Sequence, residues 1–531
     1  MRHDRTVMDC IVIGAGHNGL VTAAYLARAG HSVLVLEAND RVGGAAISAE
    51  LFPGMGARLS KYSYLVSLLP QTIARDLDID VPLARRRVAS YTPDPADPRR
   101  GLLIPSEGAD EIARRITEFT GDPAQAAAWR DFYRRTESVA AAVFPTLIEP
   151  LKSREEIKEK LDPDDWHDFF ERPLGEVLER TFTDDVLRGV VFTDGLIGTF
   201  ADAHDPSLNQ NICFLYHVIG QGTGQWDVPI GGMGAITSQL ADRVRAAGGQ
   251  IKTSAQVTAV HDDGSQVLVS VREGDHESTY AARTVAANCA PAVLAGLQGR
   301  EPEPISMLEA GAQVKVNMLL ARLPRLRDSS VDPADAFRGT FHVNEGYQQL
   351  ADAYSSAAQG EFPAPLPAEI YCHSLSDVSI LSAELQAAGA HTLTLFGLHT
   401  PHSLFSTNDG YDNTRVLAAV HSTLDSVLAE PIVDCLMVDA HGNPCIEINT
   451  TVDLQNDLHI PSGNIFHTPL VWPWANHSQR NRTGWPVGSW GVETDSPRIA
   501  ICGSGAARGG GVSGIPGHNA ASYVTTVLST A

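Results

Sequence analysis

The sequence has no C-x-x-C motif, and its cysteines are scattered at positions 10, 213, 289, 372, 435, 445 and 502. This spacing excludes a redox-active dithiol and a cysteine-based zinc site, and it fits a reducing compartment. The sequence also lacks an N-terminal signal segment and any run near the ~18 apolar residues of a membrane-spanning helix. We therefore expect a cytoplasmic protein without stable membrane insertion.

Positive charge is scarce, because 40 Lys and Arg residues stand against 63 Asp and Glu residues and give a formal net charge of −23. Such a surface repels nucleic acid and anionic membranes, so we expect neither as a charge-held partner. The sequence also shows no paired carboxylates, no Ser/His/Asp pattern and no metal-ligand spacing. We therefore predict no metal site.

The glycines near the N-terminus have the spacing of a dinucleotide-binding turn. An apolar strand pattern at residues 9–13 leads into Gly14, Gly16 and Gly19, and a helix pattern follows. In this G-x-G-x-x-G arrangement the first glycine permits a tight turn, and the second lets the backbone approach a pyrophosphate. The third lets the helix pack close to the strand, so that its N–H groups and its dipole face the phosphates.

The residues after this turn indicate which dinucleotide binds. A second strand pattern at residues 32–36 ends in Glu37, where a ribose-binding carboxylate belongs. Residues 41–45 then read R-V-G-G-A, a glycine pair that lets the backbone pass beside a longer cofactor. In this series of strand, glycine turn, helix, strand, Glu and R-x-G-G, the sequence resembles the FAD-dependent amine-oxidase/phytoene-desaturase superfamily. The resemblance implies FAD rather than NAD.

The resemblance also implies where the rest of the chain meets FAD. A second signature at residues 226–236 precedes a return to the FAD domain, where Val257 contacts the adenine through its backbone. A glycine cluster at residues 503–521 places a helix N-terminus at the pyrimidine edge of the isoalloxazine, where negative charge collects on reduction. The implied cofactor-binding residues are Gly14, Gly16, His17, Asn18, Gly19, Glu37, Ala38, Arg41, Gly43, Gly44, Ala45, Val257, Asn288, Gly503, Gly511, Val512, His518 and Asn519.

The implied fold is α/β, a Rossmann-like FAD-binding domain of the GR2/amine-oxidase type with a discontinuous α+β substrate domain. We expect residues 1–105, 226–300 and 455–531 to form the FAD-binding domain. Residues 106–225, helical by their apolar periodicity, and 301–454, a mostly antiparallel sheet packed by helices, then form the substrate domain. In that sheet we expect strands at 314–320, 369–373 and 391–398 and a helix at 414–429.

Three stretches resemble one subgroup of this superfamily, whose members are similar to the vertebrate pyridine nucleotide-disulfide oxidoreductase domain-containing protein 2. They are a P-x-G-N-x-F-H run within residues 454–475, the segment 62–70 and the segment 194–200. The resemblance therefore covers nearly the whole chain. The subgroup's label does not describe this sequence, which has neither a dithiol motif nor a second G-x-G-x-x-G for NAD(P)H.

Aromatic and histidine residues in apolar stretches are candidates for the substrate cavity. His217 and His467 are candidate proton carriers, although such histidines more often serve packing. Arg508 belongs to an Ala-Arg pair where many relatives have His-Pro, and we expect its charge to alter the entrance or the electron acceptor. The candidate wall residues are Tyr62, Tyr216, Trp472 and Trp474.

We predict an FAD-dependent dehydrogenase or oxidase, similar to phytoene dehydrogenase, that removes a hydride from a largely apolar small molecule. The electrons then pass to oxygen, a quinone or another acceptor, and no strong base is needed. The alternatives are an amine oxidase, for which the two tryptophans would form an aromatic cage, a carotenoid isomerase or ketolase, and a flavin-containing regulatory protein without turnover. The apolar segment 62–69 allows a peripheral membrane contact, and the oligomeric state stays open.

Overall fold

The computed structural model describes residues 7–406, 412–475 and 484–530. In chain order its strands are β1 (Met8–Ile13), β2 (Val33–Leu36), β3 (Ser48–Ala49), β4 (Leu59–Ser60), β5 (Leu83–Ala84), β6 (Val88–Pro93), β7 (Gly101–Pro105), β8 (Val228–Pro229), β9 (Gln250–Lys252), β10 (Gln256–Asp262), β11 (Val267–Glu273), β12 (His276–Ala287), β13 (Val314–Leu320), β14 (Thr340–Val343), β15 (Ala368–Tyr371), β16 (His391–Gly397), β17 (Ile446–Asn449) and β18 (Ile499–Ile501). Its helices are α1 (His17–Arg28), α2 (Gln71–Asp76), α3 (Ala109–Thr120), α4 (Pro123–Val143), α5 (Arg154–Lys158), α6 (Pro163–Phe170), α7 (Leu174–Thr181), α8 (Asp185–Thr193), α9 (Asn209–Val218), α10 (Met233–Ala246), α11 (Pro291–Leu297), α12 (Pro333–Ala336), α13 (Tyr347–Ala358), α14 (Ala383–Ala387), α15 (Asn413–Val427), α16 (Thr451–Leu458) and α17 (Ile515–Thr530). None of these helices combines the length and the apolar character that crossing a bilayer requires.

The first sheet carries the glycine turn, and its strand order is β10-β11-β12-β1-β2-β9, with β18 paired to the end of β12. The strands β12, β1, β2 and β9 run parallel to one another. On the other side, β10, β11 and the start of β12 form an antiparallel meander. All four residues of β2 are buried, as expected for a parallel strand with both faces covered. The helix α1 packs against α10 and α17 beside this sheet. The predicted α/β fold is confirmed.

The second sheet has the order β17-β13-β16-β15-β14-β6-β7. Its neighbours are antiparallel except for the parallel pair β14–β6. The strands β13, β15 and β16 and the helix α15 lie where the sequence predicts them, within two residues at their ends. The strands of this sheet contribute eleven of the 28 buried residues of a separate hydrophobic core.

The strands β6 and β7 correct one predicted domain boundary. Residues 88–105 fall inside the segment 1–105 that the sequence assigns to the FAD-binding domain, but β6 pairs with β14 and extends the second sheet. The pairing buries four of the six residues of β6 in succession, which a free edge would leave exposed. The other predicted boundaries stay predictions.

Four of the seven helices between residues 109 and 218, namely α4, α5, α6 and α8, begin at a side-chain cap. Asp122 accepts a hydrogen bond from Ala124 N–H at the start of α4, with proline at the first helical position, and Asp184 caps α8 through two backbone N–H groups. The apolar faces of α4 and α6–α9 belong to the same hydrophobic cluster as the first sheet. This shared core fixes the helical region beside the glycine turn, so that the two together can wall a cavity.

Candidate functional site

A cavity of about 1020 Å³ extends from the glycine turn after β1 to one face of the second sheet. At the first end its lining includes Gly14, Gly16 and Glu37, and further in it includes aromatic residues such as Trp129 and Tyr216. Its surface is mostly apolar with a few polar groups, the usual composition of a cofactor or substrate site. The volume is at the upper limit of ordinary ligand pockets, which are roughly 300–1,000 Å³.

The backbone is exposed to the cavity at the glycine turn. Gly16 is the N-cap of α1 and makes no side-chain cap hydrogen bond, so the first N–H groups of the helix lack a capping side chain. A Cβ on Gly16 would lie 2.8 Å from Asn288 Nδ2, and a Cβ on Gly44 would lie 3.2 Å from Gly16 Cα. A side chain at either position would crowd the groove, and its uncapped amides suit a pyrophosphate.

Glu37 lies at the end of β2 with its carboxylate held by the backbone. Its Oε2 accepts a hydrogen bond from Ala15 N–H at 2.7 Å, and its Oε1 accepts one from Asn39 N–H at 2.9 Å. Each oxygen keeps a second lone pair, and the residue lines the cavity together with Val257 from β10. This geometry fits the adenosine half of a dinucleotide, with the carboxylate as an acceptor for ribose hydroxyls.

Two half-buried histidines, His17 and His467, lie further along the cavity, near Gly511. Nε2 of His17 and Nδ1 of His467 are buried and have no hydrogen-bond partner among the described residues. Burial lowers the pKa of each imidazole to about 4, so both rings are neutral at physiological pH. Gly511 lines the same region with a φ of +61°, a backbone conformation that favours glycine. The unpartnered nitrogens and the glycine groove together fit the FAD that the sequence implies.

Most of the predicted site residues lie at this cavity. Their cofactor and substrate roles stay predictions. Those on its wall are Gly14, Gly16, His17, Asn18, Glu37, Ala38, Gly44, Ala45, Tyr62, Tyr216, His217, Val257, Asn288, His467, Gly511 and Val512. Those off its wall are Gly19, Arg41, Gly43, Trp472, Trp474, Gly503, His518 and Asn519.

Some of the off-wall residues support the turn from behind. A Cβ on Gly19 would lie 2.2 Å from Gly14 O, and Gly43 N–H donates to Ala15 O at 2.8 Å. Likewise, a Cβ on Gly503 would lie 2.8 Å from the backbone oxygen of Asn288. These glycines permit close packing of backbone segments under the cavity rather than contact across its wall.

The other off-wall residues of the cofactor prediction face elsewhere. Arg41 is exposed on the surface. In α17, Asn519 Nδ2 donates to Leu147 O at 3.0 Å, and the His518 ring lies edge-on to Tyr25 with centroids 5.3 Å apart. The side chains of His518 and Asn519 thus pack against neighbouring elements, and their predicted contacts with the cofactor stay predictions.

The tryptophan pair also lies outside the cavity. The rings of Trp472 and Trp474 stack with centroids 5.0 Å apart, and they pack against Phe170 and Trp166 of α6. They fill the helical core instead of forming a substrate wall, so the predicted aromatic cage is not at the site. Apolar aromatic pairs gain as much from core packing as from a cavity position, which explains the difference.

Arg508 is almost fully buried and turned away from the cavity. Its Nη1 donates to Thr146 O at 3.0 Å and to Glu149 O at 2.5 Å, and its Nη2 donates to Trp490 O at 2.7 Å. The guanidinium thus ties the glycine-rich loop to the segment after α4. The expectation that Arg508 alters the cavity entrance is corrected, because its guanidinium donates hydrogen bonds to backbone carbonyls outside the cavity.

The histidine and tyrosines predicted at the substrate end are held by specific contacts. His217 Nδ1 bonds to Cys213 O at 2.9 Å and its ring stacks on Trp226, while Tyr216 OH donates to Val471 O at 3.0 Å. Burial lowers the pKa of His217 to about 4, so this ring is neutral near pH 7. Tyr62 OH donates to Asp457 at 2.8 Å.

A row of side chains on the second sheet forms the other end of the cavity, and the sequence analysis missed it. Lys315 lies opposite Phe396, Phe396 opposite Glu369, and Glu369 opposite His342, so one row crosses β13, β16, β15 and β14. All four residues are buried and line the cavity. The sequence did carry a signal for this row, namely single ionisable residues inside otherwise apolar strands: V-K-V, A-E-I-Y and T-F-H-V. Because alternate residues of a strand share one face, such a residue lies either on the core face or on the cavity face of its strand.

Further charged groups adjoin this row. His342 Nδ1 bonds to Glu345 Oε2 at 2.5 Å, and Thr193 Oγ1 donates to the same carboxylate at 2.9 Å. Burial alone would lower the pKa of His342, but the carboxylate of Glu345 outweighs it and the pKa is raised. Ligand atoms of His342, Glu345 and Glu369 lie within 4.8 Å of one another, a metal-like grouping that the sequence analysis did not anticipate. Because hydrogen bonds already use the imidazole Nδ1 and a Glu345 oxygen, we interpret it as a proton-sharing cluster.

Burial shifts the other ionisable groups of the wall towards neutrality. It raises the pKa of Glu369 to about 8 and that of Asp194 to about 7, and it lowers the pKa of Lys315 to about 7. Lys315 Nζ donates to Ser60 O at 2.7 Å and lies 5.0 Å from the centroid of the Tyr64 ring. The cavity thus has an apolar chamber with an ionisable wall at its inner end.

Comparison with known proteins agrees with this arrangement. Residues 19–367 match the flavin-containing amine oxidoreductase family. The chain is 52% identical to an uncharacterised protein of Mycobacterium tuberculosis, over 99% of this chain and 98% of that protein. It is 29% identical to the pyridine nucleotide-disulfide oxidoreductase domain-containing protein 2 of Mus musculus, over 97% and 93%. A putrescine oxidase variant of 15% identity shares the fold, with a TM-score of 0.59 over 99% of both chains. The chain belongs to the flavin-containing amine oxidoreductase family and is an FAD-dependent oxidoreductase.

Proposed function

We propose that this FAD-dependent oxidoreductase removes a hydride from a small molecule with a largely apolar body and passes the electrons to oxygen, a quinone or another acceptor. The observation that carries the proposal is the continuity of the cavity. Its wall runs from the glycine turn through the two neutral histidines to an apolar chamber that includes Val190, Ile197 and Phe396. A substrate body in that chamber would lie beside the part of the cavity that suits the flavin.

The residues of the chain have distinct tasks in this proposal. The uncapped amides of α1 and the carboxylate of Glu37 hold the dinucleotide part of FAD, which when bound accepts the hydride. The apolar wall orients the substrate and keeps bulk water away from it. His17 and His467 are neutral, so each can accept a hydrogen bond at its unpartnered nitrogen without adding positive charge near the cofactor. His217 and His467 as proton carriers stay predictions.

Anaerobic titration of the purified holoenzyme tests this proposal. The flavin absorbance would be followed while apolar alcohols, aldehydes, carboxylic acids, hydrocarbons and amines are added one at a time, with NADPH as a separate donor. We expect bleaching with a substrate of apolar body and no rapid bleaching with NADPH, because the sequence has no second dinucleotide fold. Rapid reduction by NADPH, or reduction only by short polar amines, would refute the proposal.

A matched pair of substitutions in α8 separates wall contact from general packing. Val190 lines the cavity, whereas its neighbour Val191 is fully buried away from it. Val190→Thr puts a hydroxyl group at the chamber wall and should raise KM for an apolar substrate several-fold, because lost apolar contact is worth about 1 kcal/mol per methyl-sized group. Val191→Thr should lower the melting temperature and leave KM unchanged. Equal KM values in the two variants would contradict an apolar chamber at Val190.

A further inference from the structure

One half-buried arginine of the cavity wall forms no ion pair within the part of the chain that the structure describes. Arg86 lines the cavity. Its Nε donates to Trp226 O at 3.1 Å and its Nη1 donates to Thr340 Oγ1 at 2.9 Å. Within residues 7–406, 412–475 and 484–530 its Nη2 has no hydrogen-bond partner, and the guanidinium forms no ion pair. Two of its nitrogens are therefore fixed by the protein while the third is available to a ligand.

The carboxyl groups on the same wall do not remove this charge. Asp194 and Glu369 can become neutral by binding a proton, and burial raises their pKa values to about 7 and about 8. A guanidinium cannot shed its proton in a protein. Once Asp194 and Glu369 are protonated, Arg86 keeps its positive charge on this wall, and the other carboxyl group that attracts it, Asp227, lies off the wall. An anion is the ligand that such a site lacks.

His342 supplies a second donor beside Arg86. Thr340, which fixes the guanidinium, is two residues before His342 on β14, so both side chains leave the same face of the strand. Nδ1 of His342 is bonded to Glu345, and its Nε2 has no partner among the residues that the structure describes. The imidazole therefore presents its second nitrogen to a ligand at the wall, with its orientation fixed by Glu345.

We propose that Arg86 and His342 form a binding subsite for a carboxylate, so that the substrate is an apolar molecule with one carboxylate group. The planar guanidinium fork matches a carboxylate better than it matches a hydroxyl group or an ammonium group. This substrate class rests on the proposed function, whereas the binding of a carboxylate to the subsite does not. The apolar body of such a molecule would occupy the chamber between this wall and the flavin.

Isothermal titration calorimetry on the holoenzyme tests the subsite without any turnover. Octanoate, octylamine and octanol share one apolar chain and differ only in the terminal group. We expect octanoate to bind at least about 30-fold more tightly than either of the others. Loss of a buried, hydrogen-bonded charge pair weakens binding by at least this factor. Tighter binding of octylamine, or equal binding of all three, would overturn the proposal, and this comparison needs no variant.

Substitution of two adjacent arginines provides the matched control. Arg86→Gln should weaken octanoate binding by about 30-fold or more and leave octanol binding nearly unchanged. Arg85→Gln changes an exposed arginine that pairs with Glu107 on the surface, and it should leave octanoate binding as in the wild type. Unchanged octanoate binding in Arg86→Gln with a full complement of FAD would overturn the proposal. Should that variant lose FAD, His342→Gln takes its place, with a weaker octanoate affinity expected.

The two proposals can fail separately. Calorimetric binding of octanoate that depends on Arg86, without bleaching by any apolar substrate, would leave the subsite intact and refute the proposed oxidation. Bleaching by apolar molecules with no preference for a carboxylate would support the proposed oxidation and refute the carboxylate subsite. If both proposals hold, anaerobic reduction by carboxylated substrates should show a raised KM in Arg86→Gln and a much smaller change in kcat. The reason is that the guanidinium binds the end of the molecule that does not react.

Discussion

Replacement of Gly19 by alanine is the substitution that most directly tests how the glycine turn holds FAD. The added Cβ would lie 2.2 Å from the backbone oxygen of Gly14, whereas ordinary contact begins near 3.4 Å. A backbone oxygen cannot rotate away as a side chain can. The first turn of α1 would therefore have to move by about 1 Å from the end of β1.

The size of the effect follows from this displacement. Overpacking of a tight contact costs about 1–3 kcal/mol. This cost destabilises the conformation that binds FAD, in which the N–H groups of α1 face the pyrophosphate. If the helix shifts instead, those donors lose their alignment. We expect the FAD dissociation constant of Gly19→Ala to rise by roughly 5-fold to 150-fold, as measured by flavin fluorescence during titration of the apoprotein.

The helix α11 offers the control. Gly296 lies within this helix, and nothing lies within 4 Å of the position that an added Cβ would occupy, so Gly296→Ala meets open space. We expect wild-type FAD affinity and an unchanged or slightly higher melting temperature, because alanine favours the helix by about 0.5–1 kcal/mol. Wild-type FAD affinity in Gly19→Ala would refute the argument that contact between α1 and β1 positions the amides.

Three further outcomes can be measured by thermal unfolding and steady-state kinetics. Trp474→Ala should destabilise the protein by about 3–5 kcal/mol without a change in KM, because the ring packs on α6 and not on the cavity; a raised KM at unchanged stability would contradict this. Arg508→Gln should lower the melting temperature through the loss of bonds to backbone carbonyls, with no change in the preferred electron acceptor. Lys315 has its pKa lowered from 10.5 to about 7 by burial, so between these values the unfolded chain binds more protons and stability rises with pH. Lys315→Met should reduce the rise in the free energy of unfolding between pH 7 and pH 9 by about 2 kcal/mol. Identical stability profiles against pH in the variant and the wild type would contradict a buried neutral lysine.

The parts of the fold that depend on local pattern were predicted from the sequence. The glycine turn between β1 and α1 and the acid at the end of β2 are encoded within about thirty residues, because one βαβ unit contains all of their contacts. The strands β13 and β16 were recognisable by alternation. FAD as the cofactor was inferred from the same turn, and the family comparison confirms it.

The parts that depend on long-range packing were not predicted. Residues 88–93, which form β6, were assigned to the FAD-binding domain rather than to the second sheet, because their partner strand β14 lies about 250 residues further along the chain. Trp472 and Trp474 were assigned to the cavity, although an aromatic pair has no pattern that distinguishes a cavity wall from a core. The charged residues of β13, β14 and β15 were passed over one by one, because only the register of the second sheet brings them into a single row.

The energetic cost of that row is itself an argument for a ligand. Glu369, His342 and Lys315 are buried in a sheet whose other residues are mostly apolar, and ionisable groups in such surroundings destabilise a fold unless they are paired. A chamber for a pure hydrocarbon would be more stable with apolar side chains at these positions. Buried ionisable groups with shifted pKa values that converge on a cavity are typical of functional sites. We therefore expect that the wall of the second sheet recognises a polar end of the substrate, while the apolar chamber holds the remainder of the molecule beside the flavin.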